Sequence, residues 1–162
     1  MRTFWLLLHL VGFTLWIGGG IATMVAGIVA KHFAPEARLG GYRITSAVWR
    51  ILIGPAVLAE ILSGIALSQP YMKSGMMPGS LGLMMGTGLL GALIALGVAL
   101  PAAAALGNLQ LDAQGALPAR FAAVRARLVW AASISGGLAL VAVIAGAAGR
   151  KRALASAARV SW

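Results

Sequence analysis

The sequence predicts an all-α integral membrane protein: a four-helix bundle with up-down topology, in a single transmembrane domain covering residues 1–162. Composition is the first reason. Hydrophobic residues make up 60% of the chain and charged residues 10%, whereas soluble proteins carry roughly 25% charged residues. The second reason is that four segments fit the ~20 apolar residues needed to cross a bilayer. They cover approximately residues 3–30, 46–69, 80–106 and 122–148.

The first span reads TFWLLLHLVGFTLWIGGGIATMVAGIVA and is followed by Lys31 and His32. It is too long for a signal-peptide core and lacks a small-residue cleavage site before a polar domain, so we interpret it as retained. Its one ionisable residue is His9. Because lipid offers an imidazole no hydrogen bonds, we expect His9 to face a neighbouring helix, a polar cavity or a bound cofactor.

The second span is predicted to begin near Thr45 or Ser46, which suit an N-cap, after the loop APEARLGGYR. Pro55 lies about two turns further on and should kink the helix unless the surrounding protein satisfies the freed carbonyl. Glu60 is the one charged residue in the apolar stretch 51–69 of this span. Since an intramembrane carboxylate costs about 2.5–3.5 kcal/mol on insertion scales, we expect Glu60 to be paired, protonated or facing water.

The third span, residues 80–106, carries no charge, and residues 128–149 of the fourth are also free of charge. The turn-forming segment QPYMKSGMMPGS precedes the third, and GNLQLDAQGALPAR precedes the fourth, where Pro118 suits a first helical turn. Small residues recur four apart, as in Gly82 and Gly86 or in Ser133 and Gly137. This spacing predicts close helix contact. It leaves open the alternative that the glycines make room for a flat cofactor.

Helix rise places several candidate site residues at a similar depth. At 1.5 Å per residue, His9 lies about 9 Å from the bundle end that holds the N-terminus, Glu60 about 13 Å, and Met84 and Met85 about 6–8 Å. Trp16 lies on the same helix face as His9, so it either packs in the core or contacts a cofactor. We predict a hydrogen bond between His9 and Glu60. The pair either fixes helix register or helps His9 to ligate haem iron or copper.

Cysteine and charge exclude other classes. The chain has no cysteine, which rules out disulfides, thiolate metal sites and covalent c-type haem. The net charge of +10 comes from basic residues at span ends and in loops, so we expect contact with membrane lipids and no nucleic-acid partner. Four spans place both termini on the same side. Which side they face stays open, because the two sides carry similar numbers of basic residues.

Two stretches resemble known families. LHLVGFTLWIGGG is similar to the opening helix of CopD-type membrane proteins and of the four-helix, haem-dependent protoporphyrinogen oxidases of the HemJ group, where a His precedes a Trp. WRILIGPAVLAEILSGIAL resembles the second span of the HemJ group, with a basic residue, a Pro and a Gly at similar spacing. The resemblance implies that His9 is associated with haem. The Lys of that group near the start of span 3 is missing, since LGLMMGTG holds no charge.

Three functional hypotheses follow, and catalytic activity stays open. The first is a b-type haem or redox-associated membrane component, for which the resemblance implies His9 as axial metal ligand. Depth and helix face make Trp16, Glu60, Met84 and Met85 its candidate cofactor contacts. The second hypothesis is a non-catalytic accessory subunit of a larger respiratory or photosynthetic complex, bound through Gly, Ala and Ser faces and the basic C-terminal tail. The third is copper transport, because methionine thioethers suit Cu(I). The methionines that support this hypothesis are Met72, Met76, Met77, Met84 and Met85.

For all three hypotheses we expect the protein to lie in a bacterial cytoplasmic (inner) membrane.

Overall fold

The computed structural model describes residues 1–75 and 77–160, with side chains described as far as Gly149. These ranges contain four long helices and no strand. Each helix has an apolar stretch long enough to cross a membrane, which confirms the predicted multi-pass helical bundle. Helix α1 covers Arg2–Val29 with a final tight turn at Ala30–His32, α2 covers Pro35–Ser74, α3 covers Gly79–Gly107, and α4 covers Phe121–Val160.

Helix α2 begins about three turns earlier than the sequence predicts. Pro35 starts it, because a proline at the first helical position needs no partner for a missing N–H. Thr45 lies inside the helix and donates its hydroxyl to the carbonyl of Gly41 at 3.1 Å. The predicted N-cap at Thr45 or Ser46 was therefore wrong. With 40 residues, α2 is about 60 Å long, roughly twice the hydrocarbon thickness, so its polar first turns extend beyond the apolar stretch.

The two remaining connections also differ from expectation. The segment QPYMKS belongs to α2, which ends at Ser74. Gly75 follows with φ 68°, a left-handed conformation that glycine adopts without steric cost. Helix α4 begins at Phe121, whose backbone N–H donates to the carbonyl of Pro118 at 2.8 Å. Pro118 therefore precedes the first helical turn, and its predicted place within that turn was wrong.

Interior prolines in two helices follow widened turns. Pro55 lies one residue beyond a π-helical turn at Trp49–Ile53, and the N–H of the intervening Gly54 donates to the carbonyl of Trp49, which opens this turn. Since proline lacks an N–H and crowds the carbonyl four residues back, the wider turn relieves the conflict. The disturbance predicted at Pro55 thus takes the form of a wide turn within a continuous helix. The arrangement recurs in α3, where Pro101 follows the wide turn Ala95–Ala99.

The core lies where α2 faces α3. Large side chains come from α2, since Trp49, Ile53 and Val57 are 2% exposed or less. Helix α3 contributes small side chains at three- and four-residue spacing, which let the backbones approach. The buried alanines of α3 are Ala92, Ala95, Ala99, Ala102 and Ala103. Shape complementarity between one bulky and one small face therefore joins the two central helices.

Helices α1 and α4 each pack on one helix of this central pair, and they also contact each other. Helix α1 contacts mainly the second half of α2, and α4 runs along α3. Trp16 is the large buried side chain of α1, 3% exposed, and its ring reaches Gly91 of α3. Much of the remaining α1 surface is apolar and exposed, as in Leu7, Leu10 and Ile21. Such a surface suits lipid tails, which surround it at no desolvation cost.

Some membrane-depth glycines are not used within the described bundle. A Cβ added to Gly18, Gly20, Gly136 or Gly137 would meet nothing within 4 Å. These open small-residue positions leave room for close approach of another helix. Docking of a larger complex on them stays a prediction. The basic tail assigned to the same contact, residues 150–159, lies outside the described side chains.

Candidate functional site

His9 of α1 and Glu60 of α2 meet inside the membrane span. Nε2 of His9 lies 3.2 Å from Oε1 of Glu60, so the pairing predicted from depth is present. The two side chains are 20% and 14% exposed. Enclosure matters here because an isolated charge in hydrocarbon is costly, and a partner at hydrogen-bond distance removes much of that cost.

Ser63 holds the other side of the imidazole. Its Oγ lies 3.0 Å from Nδ1 of His9, and the serine is fully buried. The same hydroxyl lies 2.6 Å from the carbonyl of Ala59, one helical turn earlier. Because serine has a single hydrogen and donates it to this carbonyl, its oxygen accepts the N–H of Nδ1. The hydrogen-bond network therefore assigns a proton to Nδ1.

The contact between His9 and Glu60 then requires one further proton. With Nδ1 protonated, Nε2 of a neutral imidazole presents a lone pair, and so does an ionised carboxylate oxygen. Two lone pairs at 3.2 Å repel unless a proton lies between them. That proton belongs either to an imidazolium facing a carboxylate or to a carboxylic acid facing an imidazole. Both forms give the pair zero net charge, which suits its apolar surroundings.

Two glycines let these side chains cross between the helices. A Cβ added to Gly12 of α1 would stand 2.9 Å from the carbonyl oxygen of Ala56 and 3.2 Å from Oε2 of Glu60. On the opposite helix, a Cβ added to Gly64 would stand 3.5 Å from Cε1 of His9. Each long side chain thus lies over a glycine of the other helix. This reciprocal packing brings α1 and α2 close enough for the pair to form.

Met84 lies at the predicted depth, level with His9, but its side chain does not point towards His9. Trp16 comes seven residues after His9 and packs against Gly91, which comes seven residues after Met84. Since α1 and α3 run in the same direction, His9 and Met84 lie at one level. Met84 turns towards α4, however, because its Sδ would stand 2.8 Å from a Cβ added to Gly146. Trp16 and Met84 therefore pack between helices.

The other methionines of the predicted cluster differ in how far their side chains are exposed. Met85 is half-buried, whereas Met72 and Met77 are 58% and 43% exposed. Met76 lies outside the described residues. Residues 1–75 and 77–149 contain no group of three or more His, Cys, Asp or Glu side chains placed to hold a metal. Copper transport stays a prediction without support from this geometry.

The arrangement around His9 does not fit haem ligation. An axial histidine needs one ring nitrogen with a free lone pair facing the iron. Here Nδ1 donates to Ser63, Nε2 shares a proton with Glu60, and the ring edge lies on Gly64. Two surface grooves are lined by Leu10, Val11, Thr14 and Leu15 and by Ala47, Arg50 and Ile51, and neither includes His9. The haem hypothesis stays a prediction, and the contacts favour a different role for His9.

Sequence reasoning missed Ser63, although a signal was available. Ser63 lies three residues after Glu60, and residues at this spacing share a helix face. Its part in the site depends on how closely α1 approaches α2. That distance follows from Gly12 and Gly64 acting together, which requires knowing that the two glycines oppose the partner side chains.

No family model matches the chain, and comparisons with characterised proteins and with solved structures found no match. The resemblance to the HemJ and CopD groups therefore stays a prediction. Fold and site by themselves define a class: a multi-pass helical membrane protein with a protonatable His–Glu pair between its first two spans.

Proposed function

We propose that this protein takes part in a proton-coupled membrane process, with His9 and Glu60 as an intramembrane proton-binding site. The observation that supports it is the 3.2 Å contact between Nε2 and Oε1, beside the 3.0 Å contact between Nδ1 and the Ser63 hydroxyl. Histidine and carboxylate chains inside spans are typical of proton relays.

The geometry supplies a route for a proton on the carboxyl group. Oε1 of Glu60 faces His9, whereas Oε2 lies on the far side, buried against Gly12 and without a well-formed hydrogen bond in the described part of the chain. A proton received at Oε2 leaves the shared proton on Nε2, and the site becomes positive. Loss of either proton restores neutrality. Because the charged state is costly in hydrocarbon, uptake and release are expected to follow one another closely.

Infrared spectroscopy in lipid vesicles tests this proposal. The chain has three acidic residues, so the band of Glu60 is identified by its loss in Glu60→Gln and its persistence in Glu36→Gln, a control at the exposed start of α2. The Glu60 band is the C=O stretch of a carboxylic acid or the stretch of a carboxylate that accepts the imidazolium N–H. In either form we expect exchange of the shared proton to shift this band in D₂O within minutes, and we expect the band to move again in His9→Gln. The physical reason is that a relay proton exchanges with the aqueous phase, whereas a sealed structural proton does not.

Two outcomes would contradict the proposal. A Glu60 band that stays unchanged in D₂O over many hours would mean that the pair is only a structural contact between α1 and α2. A Soret band in the same purified sample that is lost in His9→Ala would mean that Nε2 binds iron and is not paired with Glu60. Both measurements use the full-length protein in lipid.

A further inference from the structure

A second group of charged and aromatic residues lies at the opposite end of the bundle. Tyr42 of α2 and Phe121 of α4 pack edge to face, with ring centroids 5.4 Å apart. Arg125 donates from Nε to the Tyr42 hydroxyl at 2.7 Å. The guanidinium of Arg38 lies over the Phe121 ring, 4.9 Å from its centroid. We call these four residues the arginine cluster. Both rings are buried, so they hold the two guanidinium groups in defined positions.

The arginine cluster lacks a negative partner in the described part of the chain. Nε of Arg38 is buried and has no hydrogen-bond partner there. Arg125 contributes its Nε to Tyr42, and the structure records no hydrogen bond from its terminal nitrogens to described residues. Partly buried guanidinium groups normally pair with an acid, because leaving them unpaired costs free energy. Two such cations on adjoining aromatic rings also repel each other.

No described acidic side chain pairs with the arginine cluster. It contains three acidic residues. Glu60 is paired with His9 near the bundle end that holds the N-terminus. Asp112 accepts hydrogen bonds from backbone N–H groups of its own turn at 3.0 and 2.8 Å. Glu36 is exposed and forms no ion pair within the described residues. Among the described residues the cluster thus has no carboxylate partner, and an anion from another molecule can take that place.

The position of the cluster indicates what that molecule is. The Tyr42 hydroxyl would stand 3.6 Å from a Cβ added to Gly27, near the end of the apolar segment of α1. This level corresponds to the boundary between hydrocarbon and headgroups. Basic pockets between transmembrane helices at this boundary bind lipid phosphates. Further basic residues at the same end are exposed and raise the local concentration of anions. They are Arg43, Arg120 and Arg127.

We propose that Arg38 and Arg125 form a binding site for a phosphate-bearing anion, supplied by the headgroup of an anionic phospholipid. Guanidinium groups present paired N–H donors that match phosphate oxygens. The ring of Phe121 positions Arg38 and the hydroxyl of Tyr42 positions Arg125, so binding orders few additional side chains.

Lipid titration of the delipidated protein in neutral detergent tests this site. The probes are phosphatidylglycerol, phosphatidylcholine and inorganic phosphate, followed by native mass spectrometry. We expect one phosphatidylglycerol to bind per chain in preference to phosphatidylcholine. Arg38→Gln and Arg125→Gln should each weaken this binding about ten-fold or more, the loss of a charge-assisted contact. The control Arg127→Gln removes an exposed charge at the same end and should change binding less than about three-fold.

A second variant keeps the test decisive if an arginine substitution unfolds the protein. Tyr42→Phe retains the buried ring and removes the hydroxyl that positions Arg125, so it should weaken phosphatidylglycerol binding while Arg38 remains. Equal binding by the wild type, Arg125→Gln and Arg127→Gln would overturn the proposal. Retention of inorganic phosphate with no preference for phosphatidylglycerol would overturn the lipid source and assign free phosphate as the ligand.

Discussion

Replacing Gly12 by alanine is expected to destabilise the folded bundle by about 1–3 kcal/mol, the range for overpacking a tight core. The added Cβ would stand 2.9 Å from the carbonyl oxygen of Ala56, 3.3 Å from the backbone nitrogen of Glu60 and 3.2 Å from its Oε2. Two of these atoms belong to the backbone of α2 and cannot rotate away. Helix α1 must therefore move outwards, which also lengthens the contact between His9 and Glu60.

The matched control is Gly18→Ala in the same helix. A Cβ at Gly18 would meet nothing within 4 Å, and alanine has the better helix propensity by about 1 kcal/mol. We expect this variant to be as stable as the wild type or slightly more so. Reversible unfolding in mixed micelles measures both. Equal destabilisation by the two substitutions would show that α1 does not pack on α2 through Gly12.

A second large loss of stability is expected when either side chain of the His9–Glu60 pair is removed. His9→Ala or Glu60→Ala alone leaves the other group buried without its partner, which typically costs about 3–5 kcal/mol. Removing both groups leaves neither, so the double variant should be destabilised by less than the sum, with a coupling energy of about 1–3 kcal/mol. The same unfolding measurement, applied to the four proteins of the cycle, gives this coupling.

A second cycle provides the control for the first. His9→Ala combined with Glu36→Ala joins two sites at opposite ends of the bundle, and their effects should add within about 0.5 kcal/mol. Simple additivity of His9→Ala and Glu60→Ala would contradict the pairing. Glu60→Gln offers a milder change, because a carboxamide N–H₂ can donate to Nε2. It should retain most of the stability and lose proton exchange.

The sequence predicts the bundle well because membrane spans leave a strong signal. A long apolar segment must satisfy its backbone internally, so length and hydropathy identify all four helices. Hydropathy does not predict the start of α2 at Pro35. The first turns of α2 carry Arg38 and Arg43, and a polar segment of this kind resembles a loop, although here it is a helix that extends beyond the apolar region.

The site was predictable in part for a related reason. Counting helix rise placed His9 and Glu60 near one level, and the structure pairs them. Helix rise gives depth but not direction, which is why Met84 has the right depth and faces α4. Direction depends on the rotation of each helix about its axis. That rotation is set by close contacts such as Gly12 against Ala56 and Trp16 against Gly91, which only a three-dimensional arrangement reveals.

The central claim is that Nδ1 of His9 carries a proton and that Nε2 shares another with Glu60, and ¹⁵N NMR of labelled histidine in lipid tests it most directly. The chain has two histidines, so His32→Gln leaves His9 as the sole signal. We predict a protonated Nδ1 that is unaffected by Glu60→Gln and an Nε2 resonance that shifts clearly in that variant. An unprotonated Nδ1, or an Nε2 resonance indifferent to Glu60→Gln, would contradict the account.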